Sequence, residues 1–542
     1  MEAAPELSEF VKALQKSSDL VQRWAAQAPP GEASLRALLT VDGISVWDIM
    51  AADLALYQVP KGLAEQSARR TLWQIVKPYL RHLKYAFRQM PPIDDSDCAR
   101  WPSGRAALFL GFTPYIARDI LRPLVDVLRR EGGLFPVLLE EKQTSPTSDH
   151  TAHSVHRHRG LHTARDALEL AKAIRRVCSI LTGDDRYRRV FADDGRPLWP
   201  DVGDGLRSAF NVYASFVLPD TIAVARHILT THRPAVIVSP DLADPRTRVY
   251  TLLGAALGIP TVEVQFGACG PEAVEWRFFE ADIAAVWGEQ SRDVVLSHGV
   301  PPEKVLVTGS PRHDALFGVT GREISEFRER FGVPLANHTV LFASAHSTDA
   351  YDNLSEFALL RSMKKAVFTA AAATPGVSLI VKPHPLENVN ETRALVADDS
   401  GIAFAEPGED IRALTRACDA FFTLGSASTL DALILKKPTV CPAFPGWDVS
   451  ELYIRSGAVM VPRSDRDVLV AMGEIAADGG AAIQRRHAAR LSEFLSSWVR
   501  DGGQGGTGRI VDLLRAMAEP SNPLQSGDSR ALSIDRSVNT RK

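Results

Sequence analysis

A chain of 542 residues, 45% hydrophobic and 23% charged, is long enough for at least two domains with ordinary buried cores. Its 62 basic and 65 acidic residues give a formal charge of −3, which excludes the strong basic field of a nucleic-acid binder. Five scattered cysteines without metal-ligand spacing exclude a disulfide scaffold and point to a reducing compartment.

Residues 1–104 predict a helical N-terminal extension. It opens without the basic and apolar regions of a signal peptide, and no run in the chain nears the ~18 apolar residues of a membrane span. A cytoplasmic location is expected. Within the extension, Arg69, Arg70, Lys77, Arg81, Lys84 and Arg88 alternate with Trp73, Tyr79, Tyr85 and Phe87. Such a basic amphipathic helix can rest on anionic lipid at the inner face of a membrane. The same pattern also describes a packed helix with a solvated cationic face. Asp95-Ser-Asp97 matches a metal-holding Asp-x-Asp pattern, but no strand feeds it, so it reads as exposed chain.

From Arg105 the pattern changes. Ala106–Leu110 and Leu134–Leu139 are apolar runs separated by a helical stretch, 116–130, and predict a βαβ unit. A mostly helical segment to about 229 follows. It contains His150, His153, His156, His158 and His162, read as a polar, mobile loop on the acceptor side because no cysteine or carboxylate completes a zinc set. Strand signals resume at 235–238, 261–264, 282–286 and 304–307, interleaved with helices, as in a parallel sheet. Residues 105–320 therefore form a first Rossmann-like domain and 317–337 a crossing. A second series at 339–342, 377–381, 401–404, 419–424, 438–440 and 458–461 gives a second Rossmann-like domain over 338–500. A closing helix (501–517) and a Ser/Pro-rich, disordered tail (518–542) end the chain. The fold class is α/β with two doubly wound sheets.

Ligands bind beyond the carboxyl ends of parallel strands. In the second domain those ends carry His346, then Lys382-Pro-His384-Pro, then Glu406-Pro-Gly, then Gly425-Ser426-Ala-Ser428-Thr429. The last runs from a strand into a helix. Its glycine lets a backbone approach a phosphate, and its hydroxyls and helix-terminal amides can hydrogen-bond the oxygens. A Ser/Thr-capped helix has the same look. Lys382 and His384 add a cation and an imidazole between rigid prolines, suited to a diphosphate or to protonating a leaving oxygen; a proline-rich turn is the plainer reading.

With Thr308-Gly-Ser-Pro-Arg312-His313-Asp314, these pieces resemble the GT-B-type transferases of bacterial surface polysaccharides. That group includes capsule polysaccharide synthesis proteins, CDP-glycerol glycerophosphotransferases and, more distantly, bacterial sialyltransferases. The resemblance implies a GT-B fold, no essential metal, and a nucleotide donor (cytidine-linked in most of these relatives) held by the second domain. It also implies that His384, Ser426, Ser428 and Thr429 contact donor phosphates, that the loop at Glu406 holds base or ribose, and that the acceptor is a polysaccharide or lipid-linked glycan. Family members often carry Gln-His-Gly where this chain has Gln265-Phe266-Gly267. A general base would then come from Asp119, Asp241 or Asp244, each equally able to serve as a cap or ion-pair partner. Arg312 and His313 reach the cleft or merely tie the linker. Two rivals share the outline: a sugar-nucleotide 2-epimerase, whose His-Val-Glu-Ala-Gly becomes Thr261-Val-Glu-Val-Gln265 here, and a catalytically idle scaffold of an export assembly.

Overall fold

The structure is a computed structural model that describes residues 9–64, 101, 105–141, 152–317, 321–345, 354–384, 387–396, 401–406, 408–447 and 451–519. The basic segment 69–88, Asp95, Asp97, His150 and His346 lie outside them. So do the side chain of His156 and all but the first two residues of the tail.

Seven parallel strands make the first sheet: β1 (Ala106–Leu110), β2 (Phe135–Glu140), β3 (Ala152–Ser154), β4 (Val236–Ser239), β5 (Thr261–Val264), β6 (Ile283–Val286) and β7 (Val305–Val307). Their spatial order is β7-β6-β5-β4-β1-β2-β3. β1, β4, β5 and β6 are buried along their whole length, the signature of a parallel sheet covered on both faces. Chain order reverses between β1 and β4, so a crevice opens beyond their carboxyl ends. β3 falls within the stretch read as helical; three residues are too few to show a period of two.

The second sheet comprises β8 (His338–Ala343), β9 (Val377–Lys382), β10 (Ala403–Phe404), β11 (Ala420–Thr423) and β12 (Thr439–Val440), in the order β10-β9-β8-β11-β12. All its pairings are parallel. The run at 458–461 does not form a strand and contributes a single bridge, Met460 to Val440.

Residues 9–64 share one core with the first sheet. Trp24 and Trp47 pack on Phe191 with ring centroids 5.1 and 6.4 Å apart, in the apolar cluster that contains Leu108 and Leu110 of β1. At the other end of the chain, the helix Gly506–Met517 buries Ile510, Val511 and Leu514 against Phe109 and Leu124. It returns from the second domain to the first and closes the two-sheet architecture. Its start lies so close to Ser310 that a β-carbon on Gly506 would stand 2.6 Å from that amide nitrogen. Among the described residues no single helix is long and apolar enough to cross a membrane.

Candidate functional site

On the second domain, one row of the sheet organises the ligand-facing loops. Ala343 of β8 pairs with Lys382 of β9 on one side and Thr423 of β11 on the other. Strands ~4.8 Å apart therefore launch the Lys-Pro-His loop and the Gly-Ser-Ala-Ser-Thr loop from positions only ~10 Å apart.

The second loop is built on Thr423. Its hydroxyl oxygen accepts from the amides of Gly425 and Ser426, both at 3.2 Å, and Gly425 takes φ +102°, open to glycine alone at little cost. Thr429 is fully buried; its Oγ1 donates to the Ser426 carbonyl at 2.6 Å and lies 3.0 Å from Thr423 Oγ1. It shapes the loop from beneath. Ser426 is half-buried, and its Oγ lies 2.8 Å from that of Ser428, which is buried at the start of the helix Ser428–Ile434.

The Lys-Pro-His loop is fastened by Glu387, a residue that sequence reasoning did not single out. Its carboxylate accepts from the His384 amide at 2.9 Å, the Ser344 hydroxyl at 2.9 Å, the Lys364 ammonium at 2.5 Å and the Thr392 hydroxyl. Burial pushes this carboxyl up, but Lys364 and the hydrogen bonds outweigh burial and hold it below its ordinary value. The only signal in the sequence was an acid three residues after His384. Lys382 is buried, with Nζ donating to the Pro383 carbonyl at 2.9 Å. Burial lowers its pKa; Glu409 opposes this, and Arg118 of the first domain lowers it further. Glu406 is exposed beyond β10, its amide donating to Glu409 at 2.6 Å.

Two of the motifs noted in the sequence interlock at the domain junction. Arg312 donates to both oxygens of the fully buried Asp431, with Nε 3.1 Å from Oδ1, and through a terminal nitrogen to Asp119 at 3.2 Å. Burial would lower the Arg312 pKa, but Asp431 and Asp119 outweigh it and keep the guanidinium charged. Asp119 sits on a π-helical turn, Ala117–Leu121, and is 4% exposed. Arg118 at 2.6 Å and Arg412 at 3.0 Å take its other oxygen. Three guanidiniums therefore occupy the Asp119 carboxylate. His313 points away from the cleft: it is fully buried, edge-on to Trp287 at 4.7 Å, and burial pushes its pKa down to about 3, with Arg312 adding to the effect. Asp314 accepts from the amides of Gly506 and Thr507 at 3.3 and 2.7 Å, capping the closing helix.

On the first domain, Asp241 follows β4 at the crevice. Its Oδ1 accepts from the amides of Ala243 and Asp244 at 3.0 and 3.3 Å. Burial, then the neighbouring Asp244, push this carboxyl up to about 7. Asp244 is spent as the cap of the helix Pro245–Ala256 and on the Arg246 side chain. Of the three acids considered as a base, only Asp241 keeps an oxygen, Oδ2, without a hydrogen bond among the described residues. Tyr115, half exposed, feels the charges of both Asp241 and Asp119. Gln265 is buried, and its side chain ties Gly267, Ser291 and the Trp287 amide together at 2.8, 3.1 and 2.9 Å.

His153 and His158 do not lie on a solvated loop. Both are buried with His232 around Trp101, at ring separations of 5.6, 5.3 and 4.2 Å. Isolated histidines in a polar sequence gave no hint of this aromatic seat, because Trp101 and His232 are remote in the chain. Among the described histidine side chains of the segment, that of His162 is exposed, near Asp166.

Residues 289–449 match the family model of CDP-glycerol:poly(glycerophosphate) glycerophosphotransferases. A search of curated proteins found no match to the chain. Among solved structures, a UDP co-structure of Staphylococcus aureus MnaA is 16% identical, covers 76% of this chain and 96% of its own, and has a TM-score of 0.49. UDP-GlcNAc 2-epimerase from Neisseria meningitidis, bound to UDP-GlcNAc, is 14% identical over 76% and 99%, TM-score 0.47. The wall teichoic acid polymerase TagF is 12% identical over 83% and 98%, TM-score 0.46. The matched segment carries both the Lys-Pro-His and Gly-Ser-Ala-Ser-Thr strand ends, so the likeness to this family covers the second of the two sheets and the loops at its strand ends.

Proposed function

We propose that the protein transfers a glycosyl or glycerophosphoryl unit from a nucleotide-activated donor on the second domain to a hydroxyl of a surface-polysaccharide or glycolipid acceptor on the first. The observation that carries this reading is that the Lys-Pro-His loop and the Gly-Ser-Ala-Ser-Thr loop leave from two strand ends that share one row of the second sheet. Donor phosphates would take hydrogen bonds from His384, Ser426 and Ser428 and charge from Lys382 and Arg118, stabilising the negative charge that builds on the leaving nucleotide. Cytidine-linked donors are the first to test, because the matched family's name specifies one.

Asp241 is the general base of this reading. Its uncommitted oxygen would accept the proton of the acceptor hydroxyl as that oxygen attacks. For a glycerophosphoryl unit, attack at the β-phosphorus breaks the anhydride bond and releases the nucleoside monophosphate. For a glycosyl unit, attack at the anomeric carbon breaks the bond to the donor phosphate. Thermal-shift screening with CMP, CDP, UDP and GDP tests donor binding: a nucleotide at 100 times its Kd should add about 2.7 kcal/mol of stability. Mass spectrometry of reactions with the best nucleotide's glycerol and sugar conjugates then reads transfer. Conversion of UDP-N-acetylglucosamine to its 2-epimer, without transfer, would replace this reading by epimerisation.

A further inference from the structure

The two domains touch in two ways. One contact is an apolar seam: Trp287, which follows β6, shares a cluster with Leu430, Leu433 and Ile434 of the second domain. The chain passes between the domains after Asp314 and again before Gly506, and Asp314 joins the two crossings by accepting from the amides of Gly506 and Thr507. Along the second crossing Gly502, Gly503 and Gly505 take φ of +62°, +90° and +74°, a run able to absorb a rotation of one domain against the other.

The other contact is ionic. Asp119 of the first domain accepts from Arg412 at 3.0 Å and from Arg312 at 3.2 Å. Each arginine is anchored in turn beside a loop of the second domain. Arg312 holds Asp431, three residues after Ser428, and Arg412 holds Asp410, four residues after Glu406, at 2.9 and 3.0 Å. One carboxylate therefore ties the first domain to the supports of two loops. Buried charges hold well only while every group is paired. Arg412 is 5% exposed, yet its Nη1 has no hydrogen-bond partner among the described residues. The closed contact thus leaves a donor unsatisfied that water satisfies when the domains part.

We infer that Asp119 is the catch of an interdomain hinge: in the ligand-free chain its carboxylate holds the cleft shut through Arg312 and Arg412, and a ligand enters when those two pairs part. Arg312 stays with the second domain, because it grips both oxygens of Asp431 and a two-pronged pair is the stronger one. The seam at Trp287 persists as the pivot, beside the glycine-rich crossing. Loss of the carboxylate strands two guanidiniums, which regain water by opening. A variant without it is therefore less stable and yet admits ligand faster. The identity of that ligand as a nucleotide rests on the function proposed above; the hinge and its catch do not.

Stopped-flow mixing of the full chain with CDP, and small-angle X-ray scattering without ligand, test this. On the unaltered protein the observed binding rate should level off with rising CDP, at the rate of opening. Asp119→Asn should raise that plateau about fivefold or more, the lower end of a typical coupling between two states, and enlarge the radius of gyration. Arg412→Gln breaks the same contact from the second domain and should do likewise, and the double variant should add little to either single one. Melting curves identify a variant that fails to fold; the other variant and the plateau of the unaltered protein then decide. A binding rate that climbs linearly with CDP on the unaltered protein overturns the catch. So does a folded Asp119→Asn protein with an unchanged plateau or an unchanged radius. A chain that binds no CDP counts against the cytidine-nucleotide reading alone, and the radii of the two variants then decide the catch.

Discussion

His384 and Ser428 follow two strands that flank β8, and in the proposed reading each would give a hydrogen bond to an anionic phosphate. One such bond contributes about 1.5–3 kcal/mol, so His384→Ala and Ser428→Ala should each weaken nucleotide binding roughly 10- to 150-fold with normal folding. Calorimetry with the best nucleotide measures both. Asp241→Asn should leave nucleotide affinity unchanged while removing transfer. In the unaltered enzyme kcat/KM should rise as pH climbs through about 7, where Asp241 loses its proton. Stability moves the other way. The folded state binds this proton more tightly than the unfolded chain does, so it loses stability as pH rises from the ordinary carboxylate range to about 7. Melting curves should show the unaltered protein falling relative to Asp241→Asn across that window.

Among the connecting elements, the loop after β9 depends on a buried ion pair, Lys364 with Glu387, whose side chains are 7% and 4% exposed. Removing one partner strands a buried charge. Glu387→Ala should therefore cost about 3–5 kcal/mol in denaturant unfolding and also weaken nucleotide binding, because the His384 amide loses its anchor. Glu387→Gln should recover part of the binding, since an amide oxygen can still accept from His384. Loss of stability with unchanged nucleotide affinity would show that the pair serves the fold alone. The element boundaries show the same division between local and distant causes. β5 spans 261–264 as its apolar run predicts, whereas β3 exists through its pairing with β2 and the run at 458–461 contributes only the Met460–Val440 bridge beside β12.

Across the whole molecule, Arg312 couples the domains by bridging Asp431 of the second to Asp119 of the first. Arg312→Met should destabilise by about 3–5 kcal/mol by leaving two buried carboxylates short of a partner. Combining it with Asp431→Asn should cost less than the sum of the two single changes, because both remove the same interaction. Denaturant unfolding of the three variants completes the cycle. Two parallel sheets, the loops at their strand ends and a helix near the C-terminus were all legible in the chain, because apolar period, glycine placement and loop chemistry act over a few residues. The partnerships were not. Asp119 looked like a base until three guanidiniums, from residues 118, 312 and 412, were seen to converge on it. His313 looked like a cleft residue until its ring was found against Trp287. Asp241 gained its standing only by keeping one oxygen uncommitted beside acids brought to it by neighbouring strands and loops. A residue's protonation and reach depend on burial and on charges remote in sequence, and only the folded chain brings those within a few ångströms.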